Sequence, residues 1–173
     1  YELRRMANVL LANVYAERLD NSVSACHILD AFFEKEGQND AEFLKVVLNF
    51  YDDVHHWTGY VKVITALTQI IAQPDERAQL ALAGARVLAL QLNEPIRAAQ
   101  FARLAAQCGP TNPELWLEIA NHLLQINAIQ DVMDALAQAE KLENRPQKKL
   151  PILIEMTHLY IENGQLAPAT AIF

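Results

Sequence analysis

The stretch that decides the fold is GPTNPELWLEIANHLLQINAIQDVMDALAQAEKLEN, residues 109–144. It opens with a stop and a start in five residues. Gly109 and Pro110 end one helix, Asn112 can cap the next, and Pro113 suits a first helical position, where a missing N–H costs nothing. From Leu115 onward apolar residues return at the i, i+3, i+4, i+7 spacing of an amphipathic helix, pause at Ile126-Asn127-Ala128, and resume. The passage therefore reads as two helices joined by a short turn and set off by a harder break.

The same alternation runs outward in both directions. Breakers fall at Asp20-Asn21, Gly37 to Asp40, Trp57 to Gly59, Gln73-Pro74-Asp75, Asn93 to Pro95, Glu143 to Pro146 and Asn163-Gly164, with helix-length segments between them and no convincing strand. A mild turn inside a pair and a hard break between pairs is the pattern of stacked helical hairpins. The expected fold is all-α, with about 4.5 helical pairs in one array over 1–173. The approximate pairs are 1–38, 40–74, 75–110, 112–145 and 148–173.

At this point residues 113–144 resemble a tetratricopeptide repeat, a 34-residue helix-turn-helix with W-x2-L-G-x2-Y in its first helix and A-x3-F in its second. Trp116, Ile119, Ala120 and Leu123 take the first-helix places, and Leu136 and Ala139 fill apolar places in the second. Taking Pro110 as a repeat-ending proline starts the preceding copy at Gln79, 34 positions before Pro113, with Ala98 and Ala105 at its small positions. A last, partial copy starts near Leu150 and runs through Tyr160 and Gly164 to Ala169 and Phe173, after a linker about three residues longer than the pattern needs. The resemblance is carried by residues 79–173. Over 1–78 it rests on hairpin character and looser matches at Leu11 to Tyr15 and Phe43 to Tyr51, where a divergent helical solenoid of another kind is the alternative.

The resemblance implies a right-handed superhelical solenoid whose first helices line a concave groove that holds peptides or partner proteins. The family's groove positions, carried onto these copies, are Asn13 and Glu17; Val47, Tyr51, Val54 and His55; Ala83, Val87 and Gln91; Leu117, Asn121 and Gln125; and Ile154, His158 and Glu162. The second of these copies is placed by taking Pro74 as a repeat end. The groove lacks the clustered Lys and Arg with which chaperone-binding members hold an acidic C-terminal peptide, so apolar anchors and amides point to a helix or extended segment instead.

Other functions are weighed against this. The formal net charge of −7 gives no field to attract phosphate backbones, so nucleic acid is not an expected partner. No apolar run is long enough to span a bilayer. Cys26 and Cys108 show no C-x-x-C spacing and read as small apolar groups. With 5 glycines and no phosphate-cradling or nucleophile-elbow motif, neither an enzyme nor a cofactor is expected.

The one chemically crowded stretch is YDDVHHW, residues 51–57. It reads as a first-helix end, with Trp57-Thr58-Gly59 as the turn and Asp52 within reach of His55 and His56. Two ligands on one face fall short of the three or four that a metal needs, and Asp52-Asp53 splay about 100° apart on a helix. A metal or catalytic centre at Asp52, His55 and His56 is therefore the disfavoured alternative.

The expected role is a protein-interaction scaffold, by analogy in a bacterial envelope assembly or exopolysaccharide export complex, with a polysaccharide-binding solenoid as the alternative. The chain begins at Tyr1 without a Met and stops within an apolar stretch, which reads as a piece of a longer protein. Self-association through the uncapped Phe173 end is expected, and the sequence does not choose between cytoplasm and periplasm.

Overall fold

The computed structural model describes residues 1–164 and Ala169. It divides into two compact units, Tyr1–Ala72 and Gln73–Phe173. The first holds α1 (Glu2–Arg18), α2 (Ser22–Phe32) running into a π-helical turn (Phe33–Gly37), α3 (Ala41–Asp53) and α4 (Trp57–Ile70). The second holds α5 (Pro74–Leu90), α6 (Pro95–Gln107), α7 (Pro113–Leu124), α8 (Ile129–Leu142) and α9 (Pro146–Glu162). Consecutive helices pair as antiparallel hairpins, α1 with α2, α3 with α4, α5 with α6 and α7 with α8. Among the described residues there is no strand, and no helix is long and apolar enough to cross a membrane.

Local chemistry explains where these helices begin. Pro74, Pro95, Pro113 and Pro146 each occupy the first turn, where their fixed φ is already helical. Asn21, Asp40 and Asn112 instead cap with their side chains, accepting from the backbone N–H of Ser24, Phe43 and Glu114. Helix ends are marked by left-handed residues. Asp20, His55, Asn93 and Asn127 have φ of 48°, 57°, 53° and 57°, and Gly109 and Gly164 have 65° and 72°.

At His55 and Asn127 the closure is a full Schellman motif. His56 N–H reaches back to Tyr51 C=O (2.8 Å) and His55 N–H to Asp52 C=O (3.1 Å), while Ala128 and Asn127 repeat the pattern onto Leu123 (3.2 Å) and Leu124 (2.9 Å). YDDVHHW is thus a helix C-cap. The turn is Val54 to His56, and Trp57 to Gly59 form the first turn of α4 and not the connection expected from sequence.

Each unit has its own core. In the first, Leu29, Phe43, Leu44, Val47, Tyr51, Ile64 and Leu67 are almost wholly buried, with Phe32 edge-on to Phe43 at 5.0 Å. In the second, α5 and α6 close on alanines: Ala81, Ala85, Ala99, Ala102 and Ala105 are each fully buried. Trp116, Ile119, Ala120 and Leu123 of α7 then pack with Val132, Leu136 and Ala139 of α8 and with Ile152, Met156 and Leu159 of α9. Trp116 donates its indole N–H to Pro110 C=O (2.8 Å), and Asp75 of α5 accepts the Thr111 hydroxyl (2.8 Å), so the 109–113 break is held at both ends.

Candidate functional site: the open face of the first helices

The left-handed residues supply a register that needs no motif matching. Counting eight positions back from Asp20, His55, Asn93, Asn127 and Gly164 gives Ala12, Val47, Ala85, Ile119 and Met156, all buried, so α1 and α3 in the first unit and α5, α7 and α9 in the second each give this position to the core of their own unit. Positions ten, six and two back point elsewhere. In the second unit they are Ala83, Val87 and Gln91 on α5; Leu117, Asn121 and Gln125 on α7; and Ile154, His158 and Glu162 on α9. All nine are half-buried or exposed, on the accessible side of their helices. These coincide with the candidates named from sequence.

In the first unit the same count gives Leu10, Val14 and Arg18 on α1 and Lys45, Asn49 and Asp53 on α3. This corrects the register expected from sequence, which is displaced by one residue on α1 and by two on α3. Val47 and Tyr51 are fully buried and belong to the core, so neither offers a side chain to a partner. Tyr51 donates its hydroxyl to Asp30 of α2 (2.7 Å), and burial together with that carboxylate raises its pKa. Asn13 is half-buried, Glu17 is exposed, Val54 is half-buried as the C-cap of α3, and His55 is exposed at the turn, stacked on Trp57 at 5.1 Å.

The imidazoles therefore have structural roles. His55 Nδ1 meets the Asp52 backbone carbonyl at 3.0 Å. His56 turns away from Asp52 and faces Asp30 (Nε2 to Oδ2, 3.5 Å), lying edge-on to the Tyr51 ring at 4.8 Å. The chain reversal at His55 carries His56 off the Asp52 face, which is why the i, i+4 pairing expected from sequence does not form. Gly59 makes this packing possible, since a Cβ there would lie 2.3 Å from His56 Cδ2 and 2.7 Å from Tyr51 Cε2.

A cavity of about 180 Å³ beside this network is lined by Cys26, His27, Asp30, His55 and His56. Burial pushes the Cys26 thiol up to about 11. Among the described residues no three His, Cys, Asp or Glu side chains come together as a metal-holding group.

Electrostatics on the second unit are mostly settled within it. Arg86 of α5 pairs with Glu118 of α7 (2.8 Å), and Lys148 of α9 pairs with Glu114 of α7 (2.7 Å). Glu143 accepts from both the backbone and the guanidinium of Arg145, which hold its carboxyl down at about 2. His122 is buried on α7 with Nδ1 unpartnered, and burial lowers its pKa.

Sequence reasoning missed two sets of residues. Leu90, Leu124 and Ile161, three positions before the turn residues of α5, α7 and α9, are exposed by 75%, 38% and 51%. In the first unit an apolar cavity of about 280 Å³ between α1 and α3 is lined by Met6, Val9, Leu10, Phe43 and Val46. Anchoring each copy on its turn residue would have found Leu90, Leu124, Ile161 and Leu10.

No family model matches the chain, and no curated protein matches it either. Solved structures do. A crystal structure of MamA protein is similar with TM-score 0.56 at 9% identity, covering 100% of this chain and 90% of that one. YrrB, described as a TPR protein with an unusual peptide-binding site, gives TM-score 0.53 at 12% identity, covering 95% and 80%. PilF of Pseudomonas aeruginosa gives 0.51 at 15% identity, covering 95% and 72%. At these identities the likeness is one of fold, and that fold is the tetratricopeptide type of helical-hairpin array.

Proposed function

We propose that this chain is a protein-interaction scaffold that holds a peptide or a partner protein on the open face of its first helices. The observation that carries the reading is the division of labour along α5, α7 and α9. The seam positions Ala85, Ile119 and Met156 are given to the core, while Val87, Asn121 and His158, two places further on, stay accessible. Three helices thus present one face each, with apolar side chains and amides side by side, a composition suited to holding a segment of chain. The unusual peptide-binding site of YrrB supports the same use of the fold.

The proposed role is binding and not catalysis. The imidazoles of 51–57 that could suggest an active site are engaged at the end of α3, His55 on the Asp52 backbone carbonyl and His56 facing Asp30 of α2, while the Asp52 and Asp53 carboxylates are exposed. An envelope assembly or export complex is the setting proposed for the scaffold, and fractionation of the source cell with a specific antibody tests it.

Site-specific photo-crosslinking tests the binding reading. A photoreactive residue is placed at Asn121 or His158 on the face, or at Gln100 or Gln138 on the second helices α6 and α8. Adducts are expected from the first pair and few from the second. Equal yields from both pairs, or adducts only from α6 and α8, would overturn the reading.

A further inference from the structure

α5 packs directly on α7, whereas a cavity of about 320 Å³ lies between α7 and α9. Its apolar walls are Pro113 and Leu117 of α7 and Pro151 and Ile152 of α9, and Leu117 also belongs to the open face of the first helices. A space of this size is at the small end for a ligand pocket and takes one side chain, not a helix or a strand.

The polar groups left over around it are acceptors. Lys148 is the cation among the described residues that line the cavity, and it is spent on Glu114 at 2.7 Å. Glu143 is 5% exposed and is held by the backbone N–H and guanidinium of Arg145, each at 2.9 Å. Glu155 also lines the cavity, is half-buried, and makes no hydrogen bond or ion pair among the described residues. The backbone adds a second acceptor. Pro151 lies inside α9 and has no N–H, so Gln147, one turn earlier and also lining the cavity, has a carbonyl without its helical donor. A helical carbonyl points along the axis toward residue i+4, and a long side chain leans back over the preceding turn, so the Gln147 carbonyl and the Glu155 carboxylate are both directed toward Pro151.

Both helices begin beside this space, where their N-termini could draw an anion. Those ends are already served: Asn112 caps α7, and Glu143 accepts the N–H of Arg145, the cap residue of α9. An incoming anion would meet three carboxylates.

We infer that the cavity seats an arginine side chain of the partner, a reading that rests on the scaffold role proposed above. The aliphatic stem lies on Leu117, Pro151 and Ile152, and the guanidinium pairs with Glu155 and donates to the Gln147 carbonyl. Five donors in a planar fork serve a carboxylate and a carbonyl together, and a guanidinium gives up water for an apolar wall more readily than the ammonium of lysine.

Methyl NMR of the whole chain tests this, with N-acetyl-arginine amide as the probe and its lysine and citrulline counterparts beside it at constant ionic strength. The arginine probe is expected to shift the methyls of Leu117 and Ile152 to saturation, the lysine probe more weakly, and the neutral citrulline probe not at all. Glu155→Gln should weaken arginine binding about tenfold, and Pro151→Ala, which returns a donor to the Gln147 carbonyl, about threefold. Asp134→Asn on α8, an equal loss of charge away from the cavity, should leave it unchanged. Citrulline binding like arginine, lysine binding as tightly, or an affinity unmoved by Glu155→Gln or by Pro151→Ala would overturn the assignment. A loss from Asp134→Asn equal to that from Glu155→Gln would reduce the effect to general attraction by an acidic chain and overturn it too. If the arginine probe fails while crosslinks from Asn121 persist, the occupant is wrong and the scaffold reading stands; if both fail, so does the scaffold reading.

Discussion

Replacing Tyr51 separates the turn-anchored register from the one read off sequence. In the first register Tyr51 is core, fully buried, with its hydroxyl on Asp30 at 2.7 Å. Truncating a buried aromatic to alanine costs about 3–5 kcal/mol. Removing only the hydroxyl in Tyr51→Phe leaves the packing and takes one hydrogen bond from a carboxylate. Asp30 is still 27% exposed, so water recovers part of that loss and the expected cost is about 1–2 kcal/mol.

If Tyr51 instead lined a groove, either change would stay within about 0.5 kcal/mol. The unit Tyr1–Ala72, at roughly 0.05–0.15 kcal/mol per residue, would have about 4–11 kcal/mol to lose, so Tyr51→Ala should bring it close to unfolding. The assay is urea denaturation followed by tryptophan fluorescence in a Trp116→Phe background, where Trp57 alone reports, with circular dichroism alongside. A midpoint unmoved by Tyr51→Ala would refute the register and the core assignment together.

Further outcomes follow from the same geometry. Gly59→Ala forces a methyl into the His56 and Tyr51 rings and should destabilise the first unit by about 1–3 kcal/mol, read by the same Trp57 signal. Trp116→Phe leaves the Pro110 carbonyl without its donor and should cost about 1–2 kcal/mol, read by circular dichroism. His122 has a lowered folded pKa, so below its ordinary value of 6.5 the unfolded chain takes up the proton more readily and stability falls as pH drops. His122→Leu should flatten the melting temperature between pH 7.5 and about 5.5. Glu143 has the opposite chemistry and the same direction. Its carboxyl, ordinarily at 4.5, is held at about 2, so its contribution is complete above 4.5 and is lost as pH falls toward 2; Glu143→Gln should blunt acid unfolding in that window.

The fold is legible in the sequence because residues 109–144 carry every signal at once. A stop, a cap, a first-position proline and four first-helix side chains agree, and Trp116, Ile119, Ala120 and Leu123 are all core. Proline misleads in the second copy. Pro74 opens α5 and does not end a repeat, and a proline after a helix looks the same in sequence as a proline that begins the next. Anchoring on it displaces the register by two residues, which on a helix carries Val47 and Tyr51 from the core seam to the open face. Gly59 misleads in a similar way. It has the look of a turn breaker, whereas it sits inside α4 because two rings leave no room for a Cβ.

The better anchors are the residues able to adopt left-handed backbone. Asp, Asn and Gly do so readily and His is enriched there; Asp20, His55, Asn93, Asn127 and Gly164 each close a first helix, while Gly109 follows the second helix α6. The remaining gap concerns the final hairpin. Apart from Ala169, the second helix expected there from sequence and the expected self-association through Phe173 lie outside the described residues.

The most direct test of the binding face is a methyl NMR titration of the chain, labelled at Leu and Ile, with a partner segment recovered by crosslinking from Asn121 or with a peptide library. Binding on the open face should shift the methyls of Leu90, Leu117, Leu124, Ile154 and Ile161 while those of Leu104 and Leu142, on α6 and α8, stay in place. Shifts confined to Leu104 and Leu142 would contradict it, and would move the function of this chain to the second helices.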